Sequence, residues 1–385
     1  MRASVFIKQK LMGFMISDFM RTMAHTRGRL TRGKRPTVLY FHQADDPYSH
    51  MANQKLAALK DRYTVDFVTY PVSMPEAEFQ GDSSRFQDWA LKDAMSIAPF
   101  YGVELPDDFG ESPSEQTEAG DRLREQLGHY LSGTFYFEGE WYWGLDRLHH
   151  LEQRLINAGM SRNPGTLCVP RPVSESATGA GAEHITLEYF PSLRSPYTAI
   201  SFDRTIDLVR RSGVSLRLRP VMPMIMRGIP APRAKQRYII TDTKREADYY
   251  GVPFGKIVDP FGEPVKRAFA LFPYMEEIGR GVEYCSNYLK GAWADGIDIT
   301  TEAGLKSIVL NSGGDWETAI NRRDDWQSIL DANVADMLNH GLWGVPSFRV
   351  SDSTDNDFSC WGQDRLWRVE TEISRRANVQ NRSAG

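Results

Sequence analysis

The chain repeats itself at a fixed distance. Shifted by 149 positions, Tyr40-Phe41 lies on Tyr189-Phe190 and Pro47-Tyr48-Ser49 on Pro196-Tyr197-Thr198 without a gap. Leu59, Arg62, Val65, Pro71, Val72, Asp93, Ala98, Gly102 and Val103 then fall on Leu208, Arg211, Val214, Pro220, Val221, Asp242, Ala247, Gly251 and Val252. A constant offset over about sixty residues reads as an internal duplication, so the second half should fold as the first does. Trp143-Gly144-Leu145-Asp146-Arg147-Leu148 echoes Trp361-Gly362-Gln363-Asp364-Arg365-Leu366 at a larger offset, which puts an insertion into the second copy. At 385 residues the chain has room for two domains, each with its own core.

The first copy, 37–157, reads as strand (Val38 to His42), helix (Pro47 to about Lys60), strand (Val65 to Val72), helices, then a hairpin from Gly133 to Trp143 and a helix from Leu145 to Asn157. Residues 158–183 hold Pro164, Pro170, Pro172 and a Ser/Gly/Ala-rich run to Gly181, a linker composition. The second copy, 184–377, repeats the plan with a long helical passage from Arg233 to about Asn339. On that passage Lys235, Tyr238, Asp242 and Arg245 share one helix face. The tail 378–385 is expected to fray.

Residues 1–36 differ in kind, with nine Lys or Arg against the single acid Asp18. Leu11, Met15, Phe19 and Met23 form one i, i+4 row and Met12, Ile16 and Met20 the next, which predicts one basic amphipathic helix followed by a basic tail, Arg27 to Arg35. Packing on its own domain, a homodimer contact and peripheral membrane contact all remain open for it.

The net charge of −4 gives no footprint for nucleic acid, and 41% hydrophobic content is that of a globular protein. Cys168, Cys285 and Cys360 are odd in number and far apart, which speaks against a disulfide framework and for a reducing, cytoplasmic setting. No apolar run reaches the roughly 18 to 20 residues of a membrane span. His42, His149 and His150 have no spaced carboxylate or cysteine beside them in the sequence, so no metal is expected.

The junction Ile185 to Thr198 carries the chemistry. An alternating β-type run breaks at Ser195-Pro196, a preferred N-cap and first-turn pair, and so delivers a hydroxyl to a helix N-terminus. Ser195 is then either a cap alone or part of a site for an anion, including a thiolate.

The order strand, helix, strand, helical insertion, hairpin, helix, with Gly344-Val345-Pro346 before the third strand, is that of a thioredoxin fold. Tyr189-Phe190-x4-Ser195-Pro196-Tyr197-Thr198, Lys235-x2-Tyr238-x3-Asp242-x2-Arg245, Gly251-Val252-Pro253-Phe254, Gly344-Val345-Pro346-Ser347-Phe348 and Trp361 to Leu366 together resemble the DsbA-like proteins of the 2-hydroxychromene-2-carboxylate isomerase and kappa-class glutathione transferase group, from about Ile185 to Ile373. The resemblance implies an α/β protein of tandem thioredoxin-like domains, the second with a large helical insertion and the first a degenerate copy.

It further implies glutathione as cofactor, with Ser195 on its thiolate, Val345 and a cis Pro346 pairing with its cysteinyl unit, Gln363 and Asp364 at its γ-glutamyl end and Lys235 near its glycyl carboxylate. The substrate would be an aromatic acid or another small electrophile. Ser195 to Thr198 contain no cysteine, so dithiol exchange is not expected there. The loop Met224 to Arg233 lacks the asparagine the group often carries; its Met and Ile side chains read equally as pocket lining or as core. In the first copy Asp46 stands at the place of Ser195 and Gly133 near that of Pro346, so that copy is not expected to bind glutathione.

Overall fold

A computed structural model describes residues 3–31, 35–110, 114–174, 182–322, 324–354 and 356–383. Fifteen helices and eight strands are described. In chain order they are α1 (Ala3–Met15), α2 (Asp18–Thr31), β1 (Thr37–His42), α3 (Pro47–Arg62), β2 (Asp66–Pro71), α4 (Ala77–Gln80), α5 (Ser83–Tyr101), α6 (Ser114–Gln126), β3 (Thr134–Phe137), β4 (Glu140–Trp143) and α7 (Leu148–Asn157). They continue as β5 (Thr186–Phe190), α8 (Pro196–Ser212), β6 (Ser215–Leu218), α9 (Arg233–Tyr250), α10 (Glu263–Glu277), α11 (Gly281–Lys290), α12 (Glu302–Asn311), α13 (Trp316–Asn321), α14 (Trp326–Asn339), β7 (Ser347–Ser351), β8 (Phe358–Trp361) and α15 (Leu366–Ser383). None of the helices is long and apolar enough to cross a membrane.

Two four-stranded sheets share one topology. Their orders are β2-β1-β3-β4 and β6-β5-β7-β8, with a parallel first pair and antiparallel second and third pairs in each. The register agrees as well: Thr37 faces Asp66 and Tyr40 faces Thr69, while Thr186 faces Ser215 and Tyr189 faces Leu218, each pair displaced by the same 149 positions. β1 and β5 are rich in β-branched and aromatic residues and, taken together, mostly buried, as a strand covered on both faces must be.

The chain divides into two compact units that are not contiguous in sequence. The N-terminal unit comprises Asp18–Val173 and Pro230–Tyr238; the C-terminal unit comprises Met1–Ser17, Ser174–Ile229 and Ile239–Gly385. This differs from the expected blocks in three places. First, the single N-terminal helix is two: Ser17 N–H donates to Phe14 O at 3.1 Å and its hydroxyl to the same oxygen at 2.7 Å, which ends α1, while Ile16 sinks into the core of the C-terminal unit. Second, the early part of the expected linker is packed on the N-terminal unit, where the buried Glu152 carboxylate accepts the N–H groups of Cys168 (2.6 Å) and Val169 (2.8 Å). Third, the start of α9 joins the N-terminal unit, because Tyr238 completes an aromatic cluster with Phe41, Tyr130 and Trp141. The last helix runs to Ser383, past the point where fraying was expected. Residues 32–34 of the basic tail and 175–181 of the linker lie outside the described residues.

Candidate functional site

In the C-terminal unit three stretches meet at one end of the sheet. β5 ends at Phe190, which faces Ser347 at the start of β7; Ser347 in turn faces Trp361 at the end of β8. Hence Ser195 (after β5), Val345-Pro346 (before β7) and Gln363-Asp364 (after β8) all follow from this one edge. The Val345–Pro346 bond is cis, as expected. Pro346 O accepts Gly362 N–H at 2.9 Å, tying the loop before β7 to the residue that precedes Gln363. Gly344 is required by packing: a Cβ there would fall 2.0 Å from Cε2 of Trp361.

Ser195 is the N-cap of α8, with φ −92° and ψ 120°, and Pro196 follows at the first helical position. Its Oγ accepts Thr198 N–H at 3.1 Å, its own N–H donates to Ser192 O at 3.0 Å and its carbonyl accepts Ala199 N–H at 3.0 Å. Every backbone bond expected of a cap is made, yet the hydroxyl proton has no acceptor among the described residues. A serine hydroxyl has one proton to give beyond what it accepts. Ser195 is 8% exposed, so that donor sits at the positive end of a 17-residue helix in a largely dry setting. Such a place favours the ionised over the protonated form of a thiol.

The other expected residues are placed less uniformly. Gln363 is 2% exposed; its amide nitrogen donates to Glu246 Oε2 at 2.7 Å and its amide oxygen accepts from Arg204 Nη1 at 3.3 Å. It is a strut between α8, α9 and the last turn. Asp364 lies 3.7 Å from Arg365. Lys235 belongs to the N-terminal unit, where its ammonium donates to Phe79 O at 2.9 Å and burial brings its pKa down to about 8. Of the four residues read on one face of α9, Asp242 and Arg245 form a buried ion pair (2.5 Å), and Asp242 also accepts from Tyr197 OH at 2.7 Å, holding α8 to α9.

Two features had no sequence signal of their own. Arg227, at the end of a 3-10 turn over Met224–Arg227, donates to Trp343 O at 2.6 Å just before Gly344-Val345-Pro346, and burial lowers its pKa. An arginine among methionines and isoleucines gives no hint of the distant carbonyl it will meet. Met222 and Met226 from the same loop pack against the core. The second feature is an ion network on β5: Glu188, 1% exposed, receives Arg219 at 2.9 Å and also Arg349, and Arg219 bridges on to Asp336 at 2.7 Å. Glu188, Asp336 and His340 offer ligand atoms within 4.8 Å of one another, but the arginines already neutralise both carboxylates.

The N-terminal unit has the same junction with different chemistry. Asp46 caps α3: Oδ1 accepts Tyr48 N–H (3.2 Å), and Oδ2 accepts Ser49 N–H (3.0 Å), Ser49 Oγ (2.7 Å) and Ser132 Oγ (3.0 Å). Burial raises its pKa against the pull of those donors. Gly133 has φ +59°, and a Cβ there would sit 3.2 Å from Asp46 Oδ2. Tyr48 OH donates to Asp93 Oδ2 at 2.7 Å, the bond that Tyr197 and Asp242 make 149 positions on. None of the three cysteines is in a disulfide; Cys285 and Cys360 are buried, and burial together with Glu152 pushes the Cys168 thiol up to about 11.

Residues 186–374 match the family model of the DSBA-like thioredoxin domain. No curated protein is matched by sequence. Solved structures similar to this chain include a 2-hydroxychromene-2-carboxylate isomerase (20% identity, 52% of this chain and 99% of that one, TM-score 0.44). They also include the cytosolic disulfide reductase DsbM from Pseudomonas aeruginosa (17%, 51% and 98%, TM-score 0.39) and the probable DsbA oxidoreductase SCO1869 from Streptomyces coelicolor (17%, 50% and 90%, TM-score 0.38). At these identities and scores they carry no information about the chemistry of this site.

Proposed function

We propose that the region matching the DSBA-like thioredoxin domain, residues 186–374, is a glutathione-dependent isomerase in which Ser195 orients the sulfur. The observation that carries the reading is the Ser195 hydroxyl, which caps its helix and still holds an uncommitted proton at the helix N-terminus. With no cysteine from Ser195 to Thr198, this reading takes its sulfur from outside the chain. Glutathione would supply a nucleophilic thiolate that adds to a conjugated aromatic acid and leaves again unchanged.

The chain's own contribution is local. Ser195 Oγ–H donates to the sulfur, the N-terminus of α8 stabilises the negative charge, and the buried setting keeps water from competing for both. The fit is good at the sulfur and partial at the ends of the peptide. Asp364, expected at the ammonium, lies 3.7 Å from Arg365, the Gln363 amide is engaged by Glu246 and Arg204, and Lys235 by Phe79.

That engagement favours a second reading, a thioredoxin-fold scaffold without catalysis; a kappa-like transferase would use the same Ser195 and differ only in releasing a conjugate. We also infer that the halves arose by duplication, on the support of the common strand order, the common register and the two tyrosine–aspartate bonds.

Calorimetric titration of glutathione into the full chain tests the enzyme reading. Binding at one site is expected, weakened in Asp364→Ala, with a thiolate absorbance that disappears in Ser195→Ala. No heat and no thermal shift at millimolar glutathione would refute it in favour of the scaffold.

A further inference from the structure

The outer face of α1 has the wrong composition for a surface helix. Its inner side docks on the C-terminal unit through Val5 and Met12, the Gln9 amide on Gly296 O (3.3 Å) and Gly13, whose missing side chain lets the helix approach Gly255 O. The opposite arc presents Phe6, Ile7, Leu11, Phe14 and Met15, between 42% and 64% exposed. Five large apolar side chains on one 13-residue helix make a continuous patch rather than scattered single exposures. A helix whose apolar residues also cluster on the side away from its own core is expected to be covered there too. By helical geometry the row Ile7, Leu11 and Phe14 is bordered by Lys10 on one side and Lys8 on the other, and Lys10 Nζ lies 5.3 Å from the centre of the Phe6 ring.

We propose that α1 is an interfacial anchor that lays this face on an anionic lipid surface. Charge selects that occupant. α1 contains no Asp or Glu, so packing against α1 of a second copy would set lysine against lysine with nothing to pair them. An anionic headgroup layer pairs with both, and their aliphatic stems let the ammonium groups rise to it while Ile7, Leu11 and Phe14 enter the acyl boundary. Residues 1–36 carry nine basic side chains and one acid in a chain whose net charge is −4, so the remaining residues are net acidic and would be repelled by such a surface. At about 20 Å, a 13-residue helix lies in the interface and does not span it.

Flotation of the full chain with phosphatidylcholine vesicles, with and without phosphatidylglycerol, tests this. The wild type is expected to float with the anionic vesicles at low salt and to be released at high salt. Lys8→Gln with Lys10→Gln should weaken recovery roughly thirtyfold. Leu11→Ser with Phe14→Ser should abolish it, and because these side chains are exposed the melting temperature should stay unchanged. Absence of the wild type from the floated fraction would overturn the proposal. So would equal recovery on neutral vesicles, or a dimer by light scattering that Leu11→Ser with Phe14→Ser dissolves while vesicles are ignored.

Discussion

Asp46 and Ser195 occupy one position in two copies of the same architecture, and they solve the same capping problem with opposite consequences. Each accepts a backbone N–H of the helix it starts. Asp46 then accepts two hydroxyls as well, one of them from Ser132 next to Gly133, so the carboxylate closes the gap between the helix and the strand that follows. Ser195 accepts one bond and retains a donor, and the strand that pairs with β5 is preceded by a cis proline where the other unit has glycine. A cap with four donors on it is a stability device, and a cap with a donor to spare is where the proposed thiolate would sit. The fold allows both because the N-cap requires only an oxygen, which leaves charge and remaining protons free to vary.

Exchanging the two chemistries gives the largest effect. Ser195→Asp should place a negative charge where the thiolate would sit and lower glutathione affinity by about a hundredfold, a penalty on the scale of a like-charge contact in a partly dry site. Affinity retained in Ser195→Asp, measured by calorimetry, would break the comparison. Deleting the caps should separate the copies by stability. Asp46→Ala leaves four donors without their acceptor and should cost about 3 kcal/mol, against about 1 kcal/mol for Ser195→Ala with its single bond. Equal losses in denaturant unfolding would show that the Asp46 network adds nothing beyond an ordinary cap.

Acidity sharpens the same contrast on a smaller scale. Burial raises the pKa of Asp46, so the folded state binds its proton more tightly than the unfolded chain. Its contribution is therefore complete below the unfolded value of about 3.9 and declines as pH rises from there through the raised folded value. The stability of the wild type relative to Asp46→Asn should fall across that window, and Ser195→Ala should show no such slope. A difference that grows with pH would mean that the four donors outweigh burial.

Much of this contrast was readable before any coordinates. The offset of 149 identified paired strands and helices because strand register and helix caps depend on local residues that recur together at that offset. Asp46 opposite Ser195 was legible for the same reason; Gly133 falls near Pro346 only at the larger offset of the second copy, and the cis bond was expected from the family resemblance alone. What stayed hidden depends on contacts between distant segments. The break at Ile16–Ser17 interrupts a hydrophobic row that runs on unbroken in the sequence, because the core that receives Ile16 is built hundreds of residues later. Arg227 on Trp343, Gln363 on Glu246 and the ion network of Glu188 likewise join residues more than a hundred positions apart. Periodicity reports which face of a helix is buried and is silent on its partner, so it gives no sign of the Phe79 carbonyl that Lys235 meets.

Lys235 gives the smallest prediction and the most direct test of where that helix face lies. Its ammonium is held by one carbonyl, with no carboxylate among the causes of its shift, and burial alone lowers its pKa to about 8. The unfolded chain therefore binds the proton more tightly, with a value of about 10.4, and between these limits stability rises with pH because folding no longer has to bury a charge. Replacement by methionine keeps the aliphatic stem and removes the titration. The wild type should then gain stability relative to Lys235→Met as pH goes from 8 to above 10, with Phe79 O solvated or unpaired in the variant. If Lys235 instead held a ligand carboxylate beside Ser195, glutathione affinity would fall in Lys235→Met; the contact with Phe79 predicts that it will not.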